Sequence, residues 1–292
     1  MKIKPEISVA LATFNEKENL GQCLESVKDW VDEIVVVDGS STDRTEGIAK
    51  SFGAKVIQTT NKPMFHINKN LAIAACCGDW ILQLDADERV SEELAAEIKK
   101  VVKMDDKEIE EYQKQLPKRD LFLRHQRVLE LRDGNIGTSS GPYSAFFVPR
   151  LNYFLGKYLK YGGVYPDGVI RLLKNGKVHF PAKSVHEQII VSGRVGWLQS
   201  DLIHLSDPTF KRYLERNNRY INLITDELRR GNVSKNLIGA VNYFLAKPIW
   251  WFFMTQIRHK GILDGVAGIL FSFFSALRFP RAYWRYLKAK HG

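Results

Sequence analysis

Asp85-Ala86-Asp87, at the end of the apolar run from Trp80 to Leu84 and followed by Glu88, is the sharpest chemical signal in the sequence. Two carboxylates either side of a small residue at a strand terminus can converge on one hard divalent cation, which in turn neutralises a diphosphate. Taken alone, the same tripeptide also reads as a pair of solvated acids ahead of a helix. Its context favours the site: polar groups follow three other strand-like runs, as Thr13-Phe14-Asn15-Glu16, Asp38-Gly39-Ser40-Ser41 and Asn61-Lys62. Four sets of polar side chains delivered to one edge of an open sheet build a nucleotide site. Further along, Asp167 lies beside a Gly162-Gly163 loop, Arg171 has the charge to stabilise a leaving diphosphate, and His204 follows an apolar pair.

The elements that must hold these residues alternate regularly. Residues 7–12, 33–38, 55–58 and 80–84 read as strands, the second a continuous β-branched run of the kind buried on both faces of a parallel sheet. Helical spacing marks 16–30, 45–52 and 68–77 between them, which implies right-handed crossovers and an open α/β sheet. Ser91 caps a helix to Val102. Residues 103–135 are highly charged, contain Pro117, and read as a helix with a strand or two. Val169–Leu173 and Val178–Phe180 around Asn175-Gly176 predict a hairpin, and Thr209–Arg230 a long amphipathic helix.

The chain has 292 residues, 45% apolar and 26% charged, which excludes a collagenous, disordered or wholly membrane-embedded protein. Cys23, Cys76 and Cys77 form neither a disulfide framework nor a zinc spacing, so a reducing compartment is expected. The N-terminus shows no signal peptide, so a cytoplasmic location is expected. A net charge of +10 points to a polyanionic partner. Most of it sits at one end: from Lys247 onward there are eight basic residues against the single acid Asp264, and 13 of the 33 aromatic residues lie from Tyr243 on.

The strings Thr13-Phe-Asn-Glu16, Val35-Val-Val-Asp38-Gly-Ser-Ser-Thr-Asp43, Lys69-Asn70, Gly78-Asp-Trp-Ile81 and Leu84-Asp-Ala-Asp-Glu88 resemble glycosyltransferase family 2, nearly without gaps over the first hundred residues. Tyr165-Pro-Asp167, Arg171-Leu172, Val185-His-Glu187 and Leu202-Ile-His204 are similar to a subgroup of lipopolysaccharide-core β-glucosyltransferases. The resemblance implies an α/β GT-A (nucleotide-diphospho-sugar transferase) fold with a mixed, mainly parallel sheet, plus a helical, amphipathic C-terminal region. It divides the chain into a catalytic domain, 1–208, with a nucleotide-binding half to 100 and an acceptor half beyond, and a C-terminal region, 209–292. Thr13, Glu16, Asp38 and Ser40 would line base and ribose. Asp85 would meet the ribose or a metal-bound water, and Lys69 and Arg171 the diphosphate. Asp87, with His204, would ligate Mn²⁺ or Mg²⁺. Lys69 stands where many members have Arg, which keeps the charge and loses the planar fork. The acceptor base falls on Glu187, with Asp167 as runner-up.

The implied activity is inverting, metal-dependent transfer of a sugar from a nucleotide donor, a UDP-sugar favoured, to a lipopolysaccharide-core or other lipid-linked acceptor. A polyprenyl phosphate acceptor and a catalytically silent nucleotide-binding membrane adaptor stay open. A sugar-nucleotide pyrophosphorylase lacks support, because no Gly-rich phosphate loop with a following lysine occurs near the N-terminus. In the tail, Lys247-Pro248 is expected to break 237–257, and 262–277 is only 16 residues with Asp264 inside. Trp250, Trp251 and Phe271–Phe274 interleaved with Arg278, Arg281, Arg285 and Lys288 suit helices on, or re-entrant in, an anionic membrane surface at the cytoplasmic face of the inner membrane. Nucleic acid is not expected, since the basic residues border apolar runs and no nucleic-acid-reading motif is present.

Overall fold

The structure, a computed structural model, describes residues 6–181 and 189–288. Its first unit comprises residues up to Arg150 together with Pro166–His204. Four parallel strands, β1 (Ile7–Thr13), β2 (Glu33–Asp38), β3 (Lys55–Gln58) and β4 (Trp80–Leu84), are linked by helices α1 (Leu20–Glu25), α2 (Thr45–Ser51) and α3 (Phe65–Ala74). A short strand β5 (Glu88–Val90), helices α4 (Glu92–Val101), α5 (Asp106–Lys114) and α6 (Arg119–Asp133), and strands β6 (Tyr143–Phe154) to β12 complete the α/β architecture: β7 (Lys157–Leu159), β8 (Asp167–Lys174), β9 (Val178–His179), β10 (Ile190–Val191), β11 (Arg194–Trp197) and β12 (Leu202–Asp207). The mixed sheet runs β3-β2-β1-β4-β8-β6-β12-β5, with β11 added parallel to β6. As in any open sheet, the change of direction in strand order between β1 and β4 leaves a crevice at their carboxyl ends.

Side-chain alternation decides which helix covers which face. Val9, Leu11 and Leu82 meet Leu20, Leu24, Leu94 and Ile98 on one side. Ala10, Val35, Val37 and Ile81 meet Ile73, Phe122 and Leu129 on the other. Both faces are thus closed, as the unbroken β-branched run requires. Trp197 fills the second layer, stacked between Phe122 and Phe147 at 4.6 Å from each ring centroid.

Three local expectations change. Residues 103–135 hold two helices and no strand: Asp105 and Glu108 form a reciprocal capping box that starts α5, and Pro117 falls in the turn before α6. The turn at Asn175-Gly176 forms, with Gly176 at φ +74°, but no hairpin follows. The eight-residue β8 lies antiparallel between β4 and β6, whereas the two-residue β9 pairs with β10. The helix expected over 16–30 shortens to α1: the Asn15, Glu16 and Lys17 N–H groups donate to Ser41, Thr45 and Asp43 side chains, and residues 26–30 are turns.

The second unit comprises Leu151–Tyr165 and residues from Leu205 onward. It therefore takes in a segment that the sequence reading assigns to the acceptor half. It opens its helical part with α7 (Phe210–Arg230), capped by Thr209. Two long apolar helices follow, α8 (Leu237–Arg258) and α9 (Gly261–Lys288). Pro248 does not break α8: the turns at Asn242–Ala246 and Met254–Arg258 are π-helical, and the Lys247 N–H reaches back to the Asn242 carbonyl. The wider turn makes room for the proline ring where an α-turn would clash.

Candidate active site

The carboxyl ends of β1, β2 and β4 carry the expected polar groups, and their register brings them together. Thr13 and Asp38 are register partners on neighbouring strands, and the Thr13 hydroxyl donates to Asp38 Oδ1 at 3.3 Å. Asp38 also accepts from the Ser41 backbone N–H at 2.8 Å and its hydroxyl at 2.6 Å, which fixes the loop after β2. Ser40, exposed, takes φ +64° and donates to the Thr59 carbonyl at 2.7 Å. A serine held in the left-handed region at a strand end marks a loop shaped by its neighbours. Glu16 accepts from Asn19 Nδ2 at 2.7 Å, and its own N–H donates to the Thr45 hydroxyl at 2.8 Å.

Asp85, Ala86, Asp87 and Glu88 form a turn closed by the Glu88 N–H to the Asp85 carbonyl at 2.9 Å. Lys69 Nζ lies 2.6 Å from Asp85 Oδ1, and Arg171 Nη2 2.5 Å from Oδ2. Arg171 also binds Gln83 and, at 2.7 Å, the fully buried Glu88. Burial works against the Asp85 carboxylate, yet Arg171 and Lys69 outweigh it and hold its pKa well below the ordinary range. Burial pushes the Lys69 ammonium down, with Asp85 opposing. For Arg171 burial is overcome by Asp85 and Glu88, and its pKa rises. A third of the Asp85 side chain still meets solvent, so a ligand can reach it. Lys69 and Arg171, read from the sequence as diphosphate contacts, are therefore engaged by carboxylates of the same site.

Asp87, two residues on from Asp85, meets His204. His204, on β12, pairs with Glu88 of β5 in register, and its Nε2 lies 3.6 Å from Asp87 Oδ2. One carboxylate and one imidazole, both mostly buried, are a donor pair that fits Mn²⁺ or Mg²⁺ when diphosphate and water oxygens complete the shell. Among the described residues no third His, Cys, Asp or Glu joins them.

Of the two candidate bases, Glu187 lies outside the described residues. Asp167, at the start of β8, sits 2.7 Å from Arg150 Nη2, so its charge is already partnered. Arg150 also approaches Glu88 at 3.5 Å. Glu88, Arg150 and Gln83 are the residues that sequence reasoning missed as site components. The available signal was a charged or amide residue inside an apolar strand run, as in Phe146-Phe-Val-Pro-Arg150 and Trp80-Ile-Leu-Gln83.

Residues 8–151 match the family model for glycosyl transferase family 2. An uncharacterized glycosyltransferase of Rickettsia conorii is 28% identical over 98% of this chain and 93% of its own length. The lipopolysaccharide core biosynthesis glycosyltransferase LpsC of Rhizobium meliloti is 25% identical, covering 94% of this chain and 92% of that protein. Among solved structures, a glucosyl-3-phosphoglycerate synthase of Mycobacterium tuberculosis with Mn²⁺, UDP and glucosyl-3-phosphoglycerate matches 29% of this chain and 34% of that one at 29% identity, with a TM-score of 0.27, at which the likeness carries no argument.

Proposed function

The chain belongs to glycosyltransferase family 2, with a nucleotide-sugar donor, and from that premise we propose that it is an inverting, divalent-metal-dependent transferase acting on a membrane-borne glycan of the lipopolysaccharide-core or lipid-linked kind. The observation that carries the metal part is the Asp87–His204 pair beside the ionised Asp85, at the crevice where the strand order turns. Thr13, Glu16, Asp38 and Ser40 line the base and ribose of a UDP-sugar. Asp85, oriented from two sides by Lys69 and Arg171, accepts from the ribose or a bound water.

Asp87 and His204 would hold Mn²⁺ or Mg²⁺, which when bound neutralises the leaving diphosphate. Glu187 takes the acceptor proton, and Asp167 with Arg150 shapes the acceptor side. The acceptor class is supported by the LpsC relative, matched almost end to end. The two apolar C-terminal helices support a membrane surface as the workplace, which the reading places at the cytoplasmic face.

Thermal shift with UDP, GDP, dTDP and ADP, each with Mn²⁺, tests the donor. One nucleotide at a hundred times its Kd should add about 2.7 kcal/mol of stability. No stabilisation by any of them would favour a silent adaptor. Nucleoside diphosphate release should need the metal and disappear in Asp87→Ala, with full activity in that variant refuting the metal assignment. Pyrophosphate as product would point instead to a pyrophosphorylase.

A further inference from the structure

Two rows of period four with opposite burial run along α8. Gly239, Tyr243 and Thr255 are buried on one side, with Trp251 half-buried on the same row. Leu237, Val241, Leu245, Ile249, Phe253 and Ile257, offset by two, are 49–80% exposed. In an α-helix such a row drifts about 40° per repeat and would wind roughly 200° around the axis over five repeats. The π-helical turns at Asn242–Ala246 and Met254–Arg258 put more residues into each turn, and the row stays straight. The result is a continuous apolar ridge. On α9, Ile262, Val266 and Phe273 are also exposed, at 61%, 73% and 48%.

Between the two helices the polarity is inverted. Gln256 Nε2 donates to Ser272 Oγ at 2.6 Å and to the Gly268 carbonyl at 3.1 Å, and Trp251 Nε1 donates to Ser275 Oγ at 2.9 Å. Gln256, Ser272 and Ser275 are almost wholly buried. Where the two helices meet, a Cβ on Gly261 of α9 would lie 2.8 Å from the Thr255 carbonyl oxygen and 2.9 Å from Gln256 Nε2, both of α8. Small and polar residues inside, with large apolar residues outside, is how helices pack when hydrocarbon covers the outside.

Both ends of this pair are fastened to polar parts of the same unit. At the turn, Asp264 accepts from the Lys160 and Tyr161 N–H groups, and the Gly162 N–H donates to the His259 carbonyl at 2.8 Å. At the other end Tyr283 donates to the Ser234 carbonyl at 2.9 Å, and Thr225 of α7 to the Ala282 carbonyl at 3.3 Å. The two anchor regions are joined through Phe154 against Tyr213, 5.0 Å apart. Neither end can cross a bilayer without taking its anchor along.

Cations stand at both ends, Arg258 and Lys260 at the turn and Arg281 and Arg285 beyond. Arg285 hydrogen-bonds to the amides of Asn218 and Asn222, which orient its charge without cancelling it.

We propose that α8 and α9 bind one leaflet of an anionic bilayer side-on, their axes along its surface, as a hairpin that does not cross it. The inference deepens the membrane part of the proposed function and rests on it. The test places single nitroxide labels at 241, 249 and 257 of the full chain in a Cys77→Ser background. Collision with oxygen and with a nickel chelate then gives depth on vesicles of phosphatidylcholine and phosphatidylglycerol.

Side-on binding puts the three labels at one depth, roughly 5–10 Å below the phosphates. A label at 249 near the bilayer centre with 241 and 257 shallow would mean a spanning helix, overturning the side-on geometry and leaving the membrane reading intact. No binding to the vesicles would overturn both. Concentration-dependent spin–spin broadening without lipid would show that a second copy covers the ridge and overturn the proposal. Ile249→Glu, checked for an unchanged circular dichroism spectrum, should lower vesicle partitioning roughly ten-fold or more, and unchanged partitioning would overturn the proposal as well.

Discussion

Replacing Arg171 by Met separates two roles that a cation beside a diphosphate site can have. In the structure Arg171 binds Asp85, Glu88 and Gln83, and Glu88 is fully buried with Arg150, at 3.5 Å, as its other cation. Removing one partner of a buried ion pair strands the other, at a cost of about 3–5 kcal/mol. In the first unit, of about 190 residues, an unfolding entropy near 2.1 cal/mol/K per residue converts this to a Tm lower by roughly 8–12 °C. Urea unfolding followed by far-ultraviolet circular dichroism measures it directly. Glu88→Gln in the same chain should return part of the loss, because the stranded charge is gone, giving a coupling energy of at least about 1 kcal/mol in a double-mutant cycle. If Arg171 instead served the diphosphate alone, the single variant would keep its stability and lose only nucleotide affinity. A stability change under about 1 kcal/mol, or a coupling near zero, would refute the network argument.

Further outcomes follow from particular contacts. Gly168→Ala should cost about 1–3 kcal/mol in chemical denaturation, because its Cβ would lie 2.2 Å from the stacked Trp197 ring. Burial pushes the His125 pKa below its ordinary 6.5, so its neutral form belongs to the folded state. The unfolded chain takes the proton first, and the His125 contribution is lost as pH falls below about 6.5. The fall of the urea midpoint between pH 7 and 5 should therefore be shallower in His125→Gln, and an equal slope would sink the assignment. Burial raises the Cys76 thiol to about 12 and Cys23 further still, while Cys77 is exposed. Iodoacetamide at pH 8 should modify Cys77 alone in the native chain, as read by peptide mass spectrometry.

Sequence and structure divide the explanation by the range of the interactions involved. Strand runs such as Glu33–Asp38, the caps at Ser91 and Thr209, and the polar groups at strand ends are legible locally, because propensity, capping and alternation act over a few residues. The same is true of the family motifs from Thr13 to Asp87, which lie in the part of the chain that the family model matches. The β9–β10 pair and the place of β8 between β4 and β6 were less legible, because strand partners are chosen by distant residues; the capping box that starts α5 was a local signal that sequence reasoning missed.

The concentration of charge and aromatic residues in the last fifty residues is likewise written in composition alone. Composition could not say that Pro248 would be absorbed by π-helical turns, or that the apolar side chains would face outward around a polar seam. Those outcomes depend on the backbone's hydrogen-bond period and on contacts with α9. Nor could sequence order say that Lys69 and Arg171 would be engaged by Asp85 and Glu88, since residues 69, 85, 88 and 171 meet only once β8 lies beside β4. Which residues can do chemistry follows from their types. Which of them are already occupied with one another is decided by tertiary packing, because in a buried site each charge must find its partner.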